Sequence, residues 1–282
     1  MHIVGQFVVV VAVWMAGGLT VTSVPGPGVV QLIAGVLAAV LAVAAYRWVV
    51  RRTERRAPAE VALKGAGRSL ARGTGVGVLM FVAVIAVIAA FGGYRIESWG
   101  SVTAAAGLLG LAAAASATEE VLFRGLIQRH LESWAGTWVA LAVTGALFGA
   151  MHLLNPAATA WGAFAIAVEA GLMLGAAFVA TRSLWLPIGI HMGWNFAASG
   201  IFGTVVSGNL DARGLLEGVT SGPVLLAGGA FGPEASLVAV LSGAALTVVL
   251  MVVAYRRGHV VPMRRAARRR TEDAAPVATL SA

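Results

Sequence analysis

What most constrains this chain is the recurrence of long uncharged apolar runs, of which VTAAAGLLGLAAAASAT over 102–118 is typical. A helix needs roughly 20 mostly apolar residues to cross a bilayer. Such runs occur at about 3–24, 29–50, 73–91, 102–133, 137–154, 158–180, 184–203 and 236–255. They are continuous, whereas the strands of a membrane barrel alternate over about ten residues. The expected fold is therefore all-α, a polytopic membrane bundle of about eight transmembrane helices. Composition agrees: 59% of residues are hydrophobic and 11% charged, against about 25% charged in soluble domains. There is no cysteine, which removes disulfides and thiolate chemistry.

Local signals punctuate the runs. Pro25–Gly28 reads as a tight hairpin, Gly92–Arg95 as a break after the third span, and Asn155-Pro156 as the end of the fifth, because proline cannot continue a helix. The first span lacks a charged leader and a small-residue cleavage site, so it is expected to be a retained helix. The basic residues sit in blocks beside the spans, which topology explains without any nucleic-acid partner. Placing loop 51–72 in the cytoplasm puts 18 of the 20 Lys and Arg on that side, leaving only Arg95 and Arg213 opposite. Both termini are then cytoplasmic. The chain divides into N-terminal helices (1–100), a central core (101–203), a Gly-rich loop with the last span (204–255) and a basic tail expected to be disordered (256–282). The partner implied for all of it is the lipid bilayer.

Charge inside the spans is the second feature. Ionisable residues there cost about 2.5–3.5 kcal/mol each on insertion scales, so they are expected to pair or to line a wet cavity. Glu119, Glu120 and Arg124 follow directly on the run at 102–118. Glu120 and Arg124 are four apart and share a helix face, whereas Glu119 is rotated by about 100°. The expected division makes Glu120 the ion-pair partner and frees Glu119 for chemistry; the competing view is a charge network that only fixes packing. His152 ends the fifth span, and His191 and Asn195 share a face of the seventh. A Glu beside a held water can act as a general base, and His or Asn donors can stabilise an oxyanion. The same side chains can bind a metal.

At these positions the chain resembles a known family. EEVLFR (Glu119–Arg124), FGAMH (Phe148–His152) and HMGWN (His191–Asn195) match, in order, the EExxxR, FxxxH and HxxxN motifs of the CPBP family, the CAAX proteases and bacteriocin-processing enzymes also called Abi. SLWLPIGIH and GGAFGPEAS also look like bacterial members. The resemblance covers roughly residues 100–200. It implies an intramembrane endopeptidase of the plasma membrane acting on a membrane-associated protein or peptide. By the resemblance, Glu119 and His152 activate the water, His191 and Asn195 form the oxyanion site, and Glu120 and Arg124 brace the motif helix beside Phe148. Zinc is left open: Glu119, His152 and His191 would be its ligands, yet there is no HExxH. Eukaryotic members trim prenylated CAAX proteins. The Ala, Gly and Arg excess points instead to a GC-rich bacterium, where such substrates are not expected, so the substrate stays open.

Other expectations are sharp enough to check. At 1.5 Å per residue, His152 and Glu119 reach the same depth if the fourth helix runs to about Trp134, whereas His191 comes out shallower. Arg124, Gln128, Arg129 and His130 would then line a cavity open to the cytoplasm. His130 and Glu132 would form that helix's wet end. Glu169 is either a second carboxylate of the site, contacting metal or substrate, or a packing charge met by Arg182 or a backbone amide. Glu234 is expected to cap the last span or sit in its first turn. The rival functions are a transporter, which the lack of inverted repeats disfavours, and a non-catalytic scaffold or immunity factor.

Overall fold

The computed structural model describes residues 5–12, 15, 28–209 and 214–263. Most of the expected first span, like the tail beyond 263, lies outside the described residues; within that span, 5–12 are helical. Among the described residues, six helices are long and apolar enough to cross a membrane: α1 Gly28–Glu54, α2 Ala66–Ala90, α3 Val102–Ala135, α4 Thr137–Leu154, α5 Ala160–Thr181 and α7 Leu237–Arg256. Between the last two lies α6 (185–201), an 11-residue α-helix, Trp185–Asn195, continued by six π-helical residues. It falls short of a full span by length. Six long helices, one shorter helix and the partly described N-terminal segment thus stand where eight spans were expected.

The starts follow from capping. Ser101, Thr159 and Ser236 accept hydrogen bonds from the backbone N–H groups of Ala104, Gly162 and Ala239 at the heads of α3, α5 and α7. Gly136 (φ 83°) turns the chain between α3 and α4 in a conformation a Cβ disfavours.

The all-α expectation needs one correction. Residues Tyr94–Trp99 (β1) and Leu216–Thr220 (β2) pair antiparallel, Tyr94 against Thr220 and Trp99 against Leu216, with an irregularity between Ile96 and Ser98. This ribbon joins the segment after α2 to the Gly-rich loop, a long-range pairing that local periodicity does not encode. Loop 51–72 is shorter than expected too, since α1 runs to Glu54 and α2 begins at Ala66.

Burial sets the layers. In their most apolar windows α5 is 72% and α3 67% buried, against 22% for α1 and 28% for α7. Helices α3 and α5 are therefore the axis of the bundle, while Val40 and Leu41 on α1, Leu79 on α2 and Val248 on α7 stay exposed on its outside. Close contact is made at small residues. A Cβ on Gly35 would collide with the Gly110 backbone, holding α1 on α3, and one on Gly73 would meet Leu186 and Ile190, holding α2 on α6.

One end of the bundle is tied by ion pairs. Arg129 on α3 pairs with Glu54 at 2.5 Å, and Arg56 bridges Glu54 (2.6 Å) and Glu60 (2.7 Å). Tyr46 donates to Glu60 and also to Gly125 O at 3.1 Å. Burial alone would push the Glu60 carboxyl up, but hydrogen bonds from Arg56 and Tyr46 outweigh it and hold Glu60 below the usual carboxylate range. Glu132 is buried against Arg182 and Thr137 and is not the wet end that was expected. The tail is ordered for several residues past α7. Thr137 N donates to Val261 O at 3.0 Å, and Val261 N to Thr137 Oγ1 at 2.8 Å.

Candidate active site

The expected helix-face geometry holds for the charged pair. Arg124 and Glu120 are 1% and 0% exposed and pair at 2.7 Å. Arg124 also donates to the carbonyls of Gly171 (3.0 Å) and Ala170 (3.3 Å) on α5, and its guanidinium lies 4.7 Å from the Phe148 ring centroid. One arginine thus joins α3, α4 and α5.

His191 comes to the same place from α6. Its Nδ1 lies 3.1 Å from Glu120 Oε1, and its Nε2 lies 3.9 Å from Glu119 Oε2. The shallower depth expected for it by counting residues is overturned by how α6 is seated. The 55–65 segment folds beneath its start, with Leu184 N donating to Glu60 O at 2.8 Å and Trp185 Nε1 to Ala62 O at 2.9 Å. The fourth helix does run on to Ala135. His152 sits at the α4 terminus with Nδ1 2.7 Å from Phe148 O. A carbonyl only accepts, so Nδ1 carries the proton and Nε2 of the neutral ring is an acceptor.

Glu119, His152, His191, Asn195, Phe148 and Glu169 all line one cavity of about 410 Å³. Its apolar wall includes Leu108, Leu111 and Ala112 of α3 and Met173 and Leu174 of α5. Ser207 and Asn209, from the chain after α6, line it as well. Arg124, Gln128, Arg129 and His130 do not line it, contrary to expectation. Arg124 and Gln128 are buried in helix contacts, with Gln128 donating to Gly175 O at 3.1 Å. Arg129 pairs with Glu54, and His130 bonds Leu126 O.

Three helices change to π geometry at the site: α3 at Val121–Gln128, α5 at Ala167–Leu172 and α6 at Phe196–Ile201. Single-turn π segments recur at functional sites because the wider turn re-aims the side chains around it. Here they follow Glu120, contain Glu169 and follow Asn195. Nothing in the residue spacing signals them.

Two further carboxylates border the cavity. Glu169 is 1% exposed and neither oxygen has a partner, and the Arg182 proposed for it is taken by Glu132. Glu234 is not the cap of α7, a role Ser236 fills. It is buried in the cavity wall, where it accepts from Trp194 Nε1 (2.9 Å), Ser207 Oγ (2.9 Å) and Ser207 N. Its position beside the start of α7 suggests a cap. Its actual partners, 27 and 40 residues away, leave no local signal.

The comparisons with known proteins bear on the same segment. Residues 101–197 match the family model described as type II CAAX prenyl endopeptidase Rce1-like. This stretch is similar to Rce1-like domains. The matched stretch begins at the α3 cap and ends just past Asn195, so it holds every motif residue, and the family it resembles is one of proteases. Neither the curated proteins nor the solved structures contain a match to the chain.

Zinc makes its own demand on the donor set. Among the described residues no three His, Asp or Glu side chains gather as metal ligands. His191 turns Nδ1 to Glu120, so Nε2, 3.9 Å from Glu119 Oε2, is the one nitrogen it could offer a metal. The arrangement does not fit the three-ligand set that Glu119, His152 and His191 would have made.

Proposed function

We propose that the protein is an intramembrane endopeptidase in which Glu119 and His152 activate water against a peptide carbonyl. The observation that supports this best is the shared cavity: Glu119, His152, His191 and Asn195 come from three helices to one 410 Å³ space, all within the stretch similar to Rce1-like domains. Water held between Glu119 and the acceptor Nε2 of His152 loses a proton to Glu119 as its oxygen attacks the carbonyl carbon. The proton then passes to the leaving amine as the C–N bond breaks. Asn195 donates its amide N–H to the developing oxyanion. His191 has given Nδ1–H to Glu120, so its Nε2 can donate as well only when the ring carries both protons. Arg124 and Glu120 touch no substrate; they position His191 and the α3 face that carries Glu119. No step passes through zinc, since the side chains do not form a ligand set for it.

The distribution of basic residues supports an orientation with the arginine-rich end in the cytoplasm, in a bacterial plasma membrane. The substrate is then a membrane-associated protein or peptide. The test is a comparison of peptide termini in membranes from cells making the native chain or Glu119→Gln at equal abundance. Termini that vanish with the Gln variant identify substrates. Identical termini with both proteins folded sink the reading in favour of a transporter or scaffold.

A further inference from the structure

Glu169 is the feature the peptidase chemistry does not use. It lies in the π segment of α5, lines the cavity, is 1% exposed, and has neither carboxylate oxygen bonded. A buried ionisable group without a partner is costly, and among the described residues no protein cation reaches it. Arg182 is held by Glu132 and Arg124 by Glu120. Its backbone is fixed from behind, because Gly243 of α7 packs so closely that a Cβ there would lie 2.6 Å from Glu169 O.

Beside it stands Glu234, near enough for the two carboxylates to repel. Glu234 is saturated by Trp194 and by two donors of Ser207. It therefore adds negative potential and offers few lone pairs. A pair with one saturated and one open carboxylate is poor for a metal, which needs several open donors, and suits a single cationic nitrogen, whose N–H groups supply what Glu169 lacks. The neighbouring Met173 and Leu174 suit an aliphatic stem.

We propose that Glu169, with Glu234 behind it, binds a cationic nitrogen of the peptide in the cavity: a lysine or arginine side chain, or a free α-ammonium. This rests on the peptidase reading for the identity of the ligand as a peptide, and it makes Glu169 a specificity residue.

The experiment uses the full chain in lipid nanodiscs, carrying Glu119→Gln so that ligands are not consumed. Fluorescent apolar hexapeptides with Lys, Arg or norleucine at each position in turn, N-acetylated or free, are titrated by anisotropy. Cationic peptides are expected to bind about tenfold tighter than norleucine peptides, with the preference falling below about twofold on adding Glu169→Gln and partly kept by Glu169→Asp, which retains the charge. Preference among acetylated peptides assigns the side chain as the source; preference confined to free peptides assigns the α-ammonium. No cationic preference, no binding of cationic peptides, or a preference that survives Glu169→Gln in a protein with native unfolding behaviour overturns the proposal. The native chain is assayed for cleavage of the same peptides. A Glu169-dependent preference without cleavage keeps the cation site and removes the peptidase reading.

Discussion

Replacing Arg124 with methionine should cost about 4 kcal/mol of stability. The side chain is 1% exposed, and the substitution leaves Glu120 buried without its 2.7 Å partner. Removing one member of a buried pair costs about 3–5 kcal/mol, chiefly because the other charge stays uncompensated. The carbonyls of Ala170 and Gly171 lose their donor as well. A 4 kcal/mol loss is a roughly thousandfold shift in the folding equilibrium. The diagnostic variant is the double one, Glu120→Leu with Arg124→Met. It removes both charges, so it should be more stable than Arg124→Met alone by about 2 kcal/mol. It should still be inactive, because His191 loses the carboxylate that orients Nδ1. Reversible unfolding in mixed micelles gives the stabilities, and peptide cleavage the activity. A loss below about 1 kcal/mol for Arg124→Met, or a double variant no more stable than the single, would refute the claim that the pair braces the site.

Gly243→Ala should lower stability by about 1–3 kcal/mol, because the new methyl meets the Glu169 backbone and the helices must part; unchanged thermal unfolding contradicts that packing. The Glu60 brace predicts a pH dependence. Its carboxyl is held below its ordinary value, so its stabilisation is complete above that ordinary value and is lost as pH falls through the lower folded one. Unfolding midpoints between pH 7 and 3 should therefore fall less steeply for Glu60→Gln than for the native chain; equal slopes count against it. The lack of native cysteine permits a topology test. Glu97→Cys, on exposed β1, should react with an impermeant maleimide in intact cells, and exposed Lys64→Cys only after lysis; the reverse pattern inverts the proposed orientation.

The sequence alone determined what is local or periodic. Uncharged run length settled a helical membrane protein, because the bilayer core fixes how many apolar residues a span needs. Four-residue spacing settled the Glu120–Arg124 pair, because helix geometry puts both on one face. The family motifs picked out the residues that the structure gathers around one cavity. What only the tertiary structure decided is everything set by contacts distant in the chain. Glu234 faces Trp194 and Ser207 although nothing near it in sequence says so. His191 reaches Glu119 because α6 rests on the 55–65 segment. The β1–β2 ribbon pairs residues more than 100 positions apart. The unpaired carboxylate of Glu169 sits where α5 widens to a π turn and α7 presents a glycine. Spacing along one helix fixes which side chains share a face. It does not fix which faces meet, since that depends on helix length, tilt and small-residue contacts summed over the whole bundle.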